Sequence, residues 1–207
     1  MSLEAPLPPI SIDDCAGVPV PTVAPRADAA NTDRDLLDRV ARGDVTAFDR
    51  AVARYWAPLI VYVAGVLRSR DAAEDVVQET FLRLWERRDR LRIDGSLRGF
   101  LYRVAHHLAI SEQRRVRARA RTVESARAEE PHFAEPVDTG GDVLDASLAH
   151  AIDGLPPRRR EILLLRSVHG LSYKEIAATL GIAPQTVANQ FSTALSGLRR
   201  ALSHLLP

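Results

Sequence analysis

The chain has 207 residues, of which 46% are hydrophobic and 27% are charged, and this composition is typical of a globular protein of one or two domains. A single cysteine, Cys15, excludes an internal disulfide and a cysteine-based zinc cluster. The longest apolar run, residues 57–67, is shorter than the roughly 20 residues that cross a bilayer. The first residues also lack the basic-then-apolar pattern of a signal peptide. We therefore expect a soluble, cytoplasmic protein without direct membrane insertion.

The net charge of +1 conceals a strong segregation along the chain. Residues 1–82 carry a net charge of −5, residues 83–121 carry +8, residues 122–153 carry −7 and residues 154–207 carry +5. Two basic blocks separated by an acidic block indicate two contacts with a polyanion. Solvated helix faces would give the same pattern, so the motifs must decide between the two interpretations.

The first 33 residues are rich in proline and show neither a helical nor a strand period, which predicts a disordered tail. From Asp35 to residue 67, apolar residues recur every three or four positions, as on one face of a helix. Gly43 and Asp44 are expected to interrupt this stretch. Pro58 is expected to kink or split its second part, because proline lacks the amide donor that a helix needs.

Two more helices are predicted in the first domain. Asp71 and Glu74 have the spacing of a capping box, so one helix is expected to begin there. Residues 88–96 are predicted to form a loop, and a further helix to run from about Leu97 past Arg115. No segment alternates like a strand, so the predicted class is all-α, with a first domain over residues 34–121.

Residues 122–143 combine prolines, glycines and acidic side chains, and they predict a flexible linker to a second domain over residues 144–207. This second domain contains the spacing of a helix-turn-helix between residues 172 and 191. Ala177 is small where the two helices must cross, and Gly181 stands where the turn needs a positive φ. The second helix, which begins near Pro184, would enter the major groove of DNA. A purely structural hairpin is the alternative.

A resemblance to the fourth conserved region of bacterial sigma factors is carried by LPPRRREILLLRSVHGLSYKEIAATLGI, residues 155–182. AAEDVVQETFLRLWERRDRL, residues 72–91, and FLYRVAHHLAI, residues 100–110, resemble the second region. These two regions and a linker are the layout of the extracytoplasmic-function (ECF) group. The resemblance implies a transcription initiation factor that recognises the −35 and −10 elements of promoters and assists −10 melting. It also implies core RNA polymerase (the β′ clamp and the β flap), promoter DNA and an anti-sigma factor as partners, with no catalysis, metal or cofactor of its own.

The resemblance further implies which side chains contact polymerase and the −10 element. Side chains off the apolar stripe of the helix after residue 71 would dock on polymerase, although a solvated face that stabilises its own helix is the alternative. These side chains are Asp75, Gln78, Glu79 and Arg83. Cations and hydroxyls around the next helix would hold the −10 strand. They are Arg92, Ser96, Arg98, Arg103, His107, Arg114 and Arg115.

Two smaller questions concern the helix that follows the loop. Phe100 and Tyr102 offer rings for stacking on an unpaired base, but the spacing also suits Phe100 as a core residue. His106 and His107 are not expected to bind metal, because neighbours on a helix point apart and no ligand cluster supports them.

The recognition helix departs from the family pattern. Family members commonly have lysine or arginine after the Thr-Val pair, whereas no charged side chain lies between residues 184 and 198 here. Bases would then be read chiefly at adenines, which amide side chains prefer, and phosphates would be bound from the flanks. The predicted −35 residues are Ser172, Lys174, Gln185, Thr186, Asn189, Gln190, Arg199 and Arg200, with Arg158, Arg159 and Arg160 as further phosphate contacts. A helix that mainly packs, with a degraded −35 contact, is the alternative.

Several alternatives stay open at the level of the whole chain. A response-regulator type of transcription regulator would share the helix-turn-helix but needs an α/β receiver domain. A helical enzyme would need a catalytic constellation that the sequence does not offer. The acidic linker is either a nucleic-acid mimic in the polymerase channel or a plain tether. The free chain is either compact, with both DNA-binding surfaces covered, or two separate bodies.

Overall fold

The computed structural model describes residues 27–90, 95–123 and 143–203, and these residues are helical with no strand. The all-α prediction is therefore confirmed. Helices α1–α4 pack together as one bundle, helices α5–α8 form a second bundle, and α4 packs against α7 between them. The helices are α1 (Ala27–Ala41), α2 (Val45–Leu67), α3 (Arg70–Glu86), α4 (Leu97–Val123), α5 (Val143–Asp153), α6 (Pro157–Ser167), α7 (Tyr173–Leu180) and α8 (Pro184–Ala201), with a 3₁₀ turn at Arg88–Arg90.

Helix α2 is the central helix of the first bundle and continues across Pro58. Asp44 begins it, because its carboxylate accepts a hydrogen bond from the amide of Ala47 at 3.1 Å. Pro58 is expected to kink or split this helix, and the split is wrong because α2 is one helix from Val45 to Leu67. Pro58 faces solvent while the opposite side of α2 packs on α1, α3 and α4, and this packing outweighs a local cost of about 3 kcal/mol. By length and composition α2 would be able to cross a membrane, but its apolar stripe lies in the protein core.

Helix α3 begins earlier than the sequence predicts. The Oγ atom of Ser69 accepts a hydrogen bond from the amide of Ala72 at 3.2 Å, so Ser69 is the N-terminal cap. The predicted capping box of Asp71 and Glu74 is wrong, since the Glu74 carboxylate instead pairs with Arg70 at 3.1 Å. Ser69, two residues before Asp71, competes successfully because serine is an equally good capping residue.

The first bundle also includes residues that the sequence assigns to the disordered tail. Helix α1 begins at Ala27, and residues 1–26 lie outside the described ranges. Asp33 is only 2% exposed, and both of its carboxylate oxygens lie 2.5 Å from the hydroxyl of Tyr55. Arg54 pairs with the same carboxylate at 3.0 Å. The chain is thus anchored to α2 upstream of the predicted boundary at residue 34.

We expect Tyr55→Phe to destabilise the first bundle by about 1–3 kcal/mol, because it removes a hydrogen bond to a buried carboxylate. Thermal unfolding followed by circular dichroism measures this change. Tyr173→Phe is the matched control, because Tyr173 is only half-buried and lies in the other bundle. An unchanged melting temperature for Tyr55→Phe would contradict the anchoring role of Asp33.

Helix α4 confirms the prediction of a long helix from Leu97 past Arg115. Ser96 precedes it, and its hydroxyl accepts a hydrogen bond from the amide of Gly99 at 3.0 Å. The first half of α4 packs into the bundle, whereas residues 114–119 are exposed and include four arginines. The predicted linker falls largely on residues 124–142, outside the described ranges.

The helix-turn-helix of the second bundle has the predicted geometry. Ser172 and Glu175 form a capping box with both reciprocal hydrogen bonds present. Gly181 ends α7 in the left-handed conformation, with a φ of 67°. Ala177 is buried at the crossing, and Val187 on α8 is fully buried. The local sequence pattern therefore determines the turn. The outer face of α8 takes no part in this packing and stays exposed.

Candidate DNA and polymerase surfaces

The predicted polymerase-docking residues lie on the outer face of α3. Asp75 and Gln78 are exposed. Glu79 and Arg83 form an ion pair at 2.7 Å, with side chains 45% and 39% exposed. This pair stabilises its own helix, as the alternative interpretation expects, and adds only a few tenths of a kcal/mol. Within the described part of the chain, neither Asp75 nor Gln78 takes part in an ion pair of this kind.

A groove of about 340 Å³ runs between α3 and α4 beside these residues. Its apolar floor includes Val76 and Leu108, and its rim includes Asp75, Glu79 and Glu112. Arg115 also lines the groove and pairs with Glu112 at 2.7 Å. The acidic rim suits a partner surface that is basic and partly apolar.

The predicted −10 residues fall into two groups. His107, Arg114 and Arg115 are exposed on α4, Arg115 at the groove beside α3. Arg103 is half-buried, and its guanidinium lies 5.9 Å from the centroid of the Phe100 ring. Ser96 and Arg98, at the start of α4, instead contact the second bundle. Arg92 lies outside the described residues. Stacking of a base on Tyr102 is not available here, because that ring is 1% exposed, while Phe100 is half-buried against the core.

The predicted −35 residues are brought together on α8 and the start of α7. Gln185, Thr186 and Asn189 are exposed, and the amide of Gln185 donates to the side-chain oxygen of Asn189 at 3.1 Å. Gln190 is half-buried. The exposed cations that flank this uncharged face are Lys174, Arg199 and Arg200. Ser172 is exposed but its hydroxyl serves the capping box.

Two of the arginines expected to bind phosphate make structural contacts within the second bundle. Arg160 is 6% exposed and donates to the backbone carbonyls of Ile152 and Asp153 at the end of α5. Arg158 donates to the carbonyl of Leu180 at 2.7 Å and pairs with Glu161 at 3.0 Å. A guanidinium offers five donors, which suits it to the otherwise unpaired carbonyls at helix ends. Arg160 is therefore too buried to bind phosphate, whereas the Arg158 side chain is 39% exposed and its phosphate assignment stays a prediction.

A buried polar cluster joins the two bundles, and sequence reasoning missed it. The hydroxyl of Tyr62 on α2 lies 2.8 Å from Nδ1 of His106 on α4 and 3.2 Å from Oε1 of Glu161 on α6. The hydroxyl of Tyr102 on α4 lies 2.8 Å from Nδ1 of His169, in the turn before α7. All of these groups except His169 are at least nine-tenths buried. Their spacing along the chain carries no local signal, because the partners are up to 99 residues apart.

Burial sets the protonation of this cluster. It lowers the pKa of both His106 and His169 to about 4, so the two imidazoles are neutral at pH 7. The Arg158 guanidinium lowers the pKa of His106 further. Burial raises the pKa of Glu161, against the opposing effect of the same guanidinium. The cluster is thus held by hydrogen bonds to two neutral imidazoles and to the carboxylate that Glu161 shares with Arg158, and protonating either imidazole would place a further charge in a buried site.

Family models match both bundles. Sigma-70 region 2 matches residues 52–121, which include most of α2, α3 and α4. Sigma-70, region 4 matches residues 145–205, which include the helix-turn-helix. Together the two matches span more than half of the chain in the order that the sequence predicts.

Similar proteins of known name or structure agree with these matches. The RNA polymerase sigma-H factor of Pseudomonas aeruginosa is 29% identical over 184 residues, which are 84% of this chain and 95% of that protein. The ECF RNA polymerase sigma-E factor of Escherichia coli is 29% identical over 189 residues, 84% of this chain and 96% of that protein. The sigma factor RpoE of Bartonella quintana, solved with the anti-sigma factor NepR, has the same fold, with a TM-score of 0.59 at 23% identity over 75% of this chain and 96% of that chain.

Proposed function

Because the chain belongs to the sigma-70 family of transcription initiation factors and has the two-region layout of the ECF group, we propose a division of labour between its bundles. The first domain, residues 34–121, docks on core RNA polymerase and opens the −10 element. The second domain, residues 144–207, recognises the −35 element. One observation carries this proposal. The face of α8 that the helix-turn-helix holds in place is exposed, and the outer face of α3 in the same chain is exposed too.

The docking surface on polymerase is the outer face of α3 together with the adjacent groove. Asp75 and Gln78 are exposed there, and Glu79 is held by Arg83 at the acidic rim. Acidic side chains around an apolar floor favour a basic, partly apolar helix of the polymerase clamp. The family of this chain is non-catalytic, so bond formation belongs to the polymerase.

The −10 surface begins at Ser96 and Arg98 and continues along α4. Exposed His107 and Arg114 with half-buried Arg103 suit a phosphate backbone on one side of α4, and Arg115 extends this basic surface toward the groove beside α3. Ser96 and Arg98 provide a hydroxyl and a guanidinium for an extruded base or its phosphate. Arg92 belongs with them by sequence.

The −35 surface reads bases with uncharged side chains. Gln185, Thr186, Asn189 and Gln190 supply the donors and acceptors, and the hydrogen bond between Gln185 and Asn189 fixes their orientation. Asparagine and glutamine pair best with adenine. Lys174, Arg199 and Arg200 supply the phosphate contacts, and Ser172 supports the start of α7. This domain is therefore expected to bind weakly by itself.

The remaining partners and the compartment follow from the family. An anti-sigma factor is part of the proposal, since the similar Bartonella quintana protein was solved with one. A cytoplasmic location suits a factor that works on polymerase and DNA. A response-regulator type of protein is not favoured, because residues 27–90 and 95–123 are helical where a receiver domain would have strands.

Run-off transcription with purified core RNA polymerase on a library of genomic promoters tests the proposed function. Specific transcripts that depend on this chain are the expected result, together with a stable complex with core in the absence of DNA. A chain that binds DNA but neither binds core nor supports initiation would contradict the proposal and favour a classical regulator.

Two substitutions on α8 separate base reading from phosphate binding. Asn189→Ala is expected to relax the base preference at one or two −35 positions, at a cost of about 1–3 kcal/mol against the preferred base. Arg199→Ala is expected to weaken all sequences alike and to flatten the salt dependence by about one unit. Promoter selection from a randomised −35 library measures both changes. An unchanged preference when Gln185, Thr186, Asn189 and Gln190 are all alanine would favour a helix that mainly packs.

A further inference from the structure

The solvent side of helix α2 is apolar along much of its length. Ala53, Ala57, Pro58 and Val61 are exposed there, and Val61 is 59% exposed. No charged side chain lies between residues 55 and 67, and only 33% of the most apolar stretch of this helix is buried. Single exposed apolar residues are ordinary, but a continuous uncharged surface along a helix is typical of a contact site. These four residues are called the α2 face below.

Arginines lie at both ends of the α2 face. Arg50 is exposed before it, and Arg68 is exposed immediately after the end of the helix. Pro58 adds a backbone feature, because it has no amide proton to donate to the carbonyl of Arg54, as a residue at this position would in a regular helix. The α2 face therefore combines small apolar side chains, a backbone acceptor and positive ends. This combination suits an apolar segment that carries acidic residues beside it.

A second copy of the chain suits the α2 face poorly. Two identical helices that pack around a twofold axis run either antiparallel or parallel. In the first case Arg50 of one copy meets Arg68 of the other, and in the second case each arginine meets its own equivalent. Like charges in contact destabilise an association. The charges at the ends of the face therefore favour an acidic occupant over a second copy.

The sequence upstream of α1 contains a segment of this kind. Residues 7–12, LPPISI, carry no charged side chain and are followed directly by Asp13 and Asp14. Six extended residues span roughly 20 Å, and α2 rises about 17 Å from Arg50 to Val61. The apolar segment therefore matches the α2 face in length. When it lies along the face, the two acidic residues fall beside Arg50.

The chain enters the described structure close to the α2 face. Helix α1 begins at Ala27, and Asp33, six residues later, pairs with Arg54 of α2 at 3.0 Å. Residue 27 thus lies about 9 Å along α1 from this pair, and Pro58 lies one turn beyond Arg54 on α2. Residues 15–26 can span up to about 40 Å, which is more than the connection needs. A tether this short gives an effective concentration in the millimolar range, so that even weak docking is well populated.

We propose that residues 7–14 of the same chain dock on the α2 face, with residues 7–12 along the apolar side chains and with Asp13 and Asp14 at Arg50. Docking removes apolar surface of α2 from water and so stabilises the first bundle. Helix α3 packs on the opposite side of α2, so the docked segment leaves the outer face of α3 open. The N-terminal segment is thus a part of the first domain rather than an appendage to it.

A spin label on the native cysteine tests this docking in the full chain. Cys15 is the single cysteine and directly follows Asp14. A nitroxide on Cys15 is expected to abolish the NMR methyl signals of Ala53 and Ala57, whereas the signal of Ala194, in the second bundle, should persist. In a second sample, the spin-labelled chain without isotopes is mixed with an isotope-labelled Cys15→Ser chain. Signal loss in this mixture would arise only between copies, and none is expected.

Substitutions on each side of the contact test its chemistry. Ala57→Glu places a carboxylate in the α2 face and is expected to restore the signal of Ala53 in the spin-labelled chain. Ala178→Glu, at an exposed alanine of α7, is the matched control and should leave that signal absent. Arg50→Glu should also restore the signal, because it repels Asp13 and Asp14. Adding Asp13→Lys and Asp14→Lys to Arg50→Glu should abolish the signal again, as expected for a direct charge pair.

Three results would overturn the docking. Signals of Ala53 and Ala57 that persist beside the nitroxide, or that are lost no more than the signal of Ala194, would leave the α2 face to a separate partner protein. Signal loss in the mixed sample would assign the face to a second copy. Equal signals in Ala57→Glu and Ala178→Glu would place the segment elsewhere on the chain. None of these measurements involves polymerase or DNA, so they are independent of the proposed function.

Discussion

Replacing Asp75 and Glu79 together by lysine is expected to lower the affinity for core RNA polymerase by about 30-fold or more. Both side chains lie at the rim of the groove between α3 and α4, and reversal places positive charge against the basic partner proposed for this face. Breaking interfacial charge pairs typically costs 2–5 kcal/mol, and about 2 kcal/mol already corresponds to 30-fold. The fold should survive, because among the described residues the ion pair lost is the partly exposed pair of Glu79 and Arg83.

The matched control for this experiment is the pair Asp38→Lys and Asp49→Lys. These residues are exposed on α1 and α2, so the net charge changes equally but away from the proposed docking face. Competition with a labelled reference factor for core polymerase measures both variants. A docking variant that competes as well as the control variant would remove the assignment of α3 as the polymerase anchor.

Lowering the pH from about 7.5 to about 5 is expected to separate the two bundles. His106 and His169 have pKa values of about 4 in the packed chain, against an ordinary value of about 6.5. Between these two pH values the separated chain therefore binds more protons than the packed chain. The contribution of the two imidazoles to packing is complete above pH 6.5 and is lost as the pH falls toward 4. As the pH falls below 6.5, each imidazole lowers the stability of the packed chain by about 1.4 kcal/mol per pH unit, which amounts to about 2 kcal/mol at pH 5.

The other charged and polar groups of the cluster determine how strongly the packing of the two bundles depends on pH. His106 faces Tyr62, Glu161 and Arg158, and His169 faces Tyr62, Tyr102 and Arg98. The raised pKa of Glu161 acts in the opposite direction, because its carboxyl protonates more readily in the packed chain.

Small-angle scattering should show a larger radius of gyration at about pH 5 than at pH 7.5. The double variant His106→Gln, His169→Gln keeps polar side chains that do not titrate, so its radius should not respond to pH. An equal response of parent and variant would show that other groups govern the change.

Local features of the fold were predictable because they depend on neighbouring residues. The capping box of Ser172 and Glu175, the left-handed Gly181 and the buried Val187 are all specified within a few positions of one another. The exposed α8 face followed from the same pattern. Where two local signals competed, as Ser69 did with Asp71, the sequence predicted the helix but not its first residue.

What escaped prediction depends on contacts between distant parts of the chain. Asp33 lies upstream of the apolar period, and only its bond to Tyr55 reveals it as a core residue. Tyr62 and Glu161 meet across 99 positions, and nothing near either residue indicates the other. The sequence predicts Arg160 as a phosphate ligand, but its guanidinium donates hydrogen bonds to backbone carbonyls at the end of α5. Structural and functional charges differ in their burial. A run of basic residues in the sequence does not show which of them are buried.

The arginine-rich end of α4 has a consequence for local order. Residues 114–119 are exposed, so these turns gain little from burial, and the like charges of Arg115 and Arg119 lie one turn apart. Such turns open readily, and their amides should exchange with deuterium much faster than those around the buried Leu101. A bound polyanion neutralises the repulsion. The last turns of α4 should therefore slow their exchange when promoter DNA is added, which makes the helix end an internal reporter of −10 engagement.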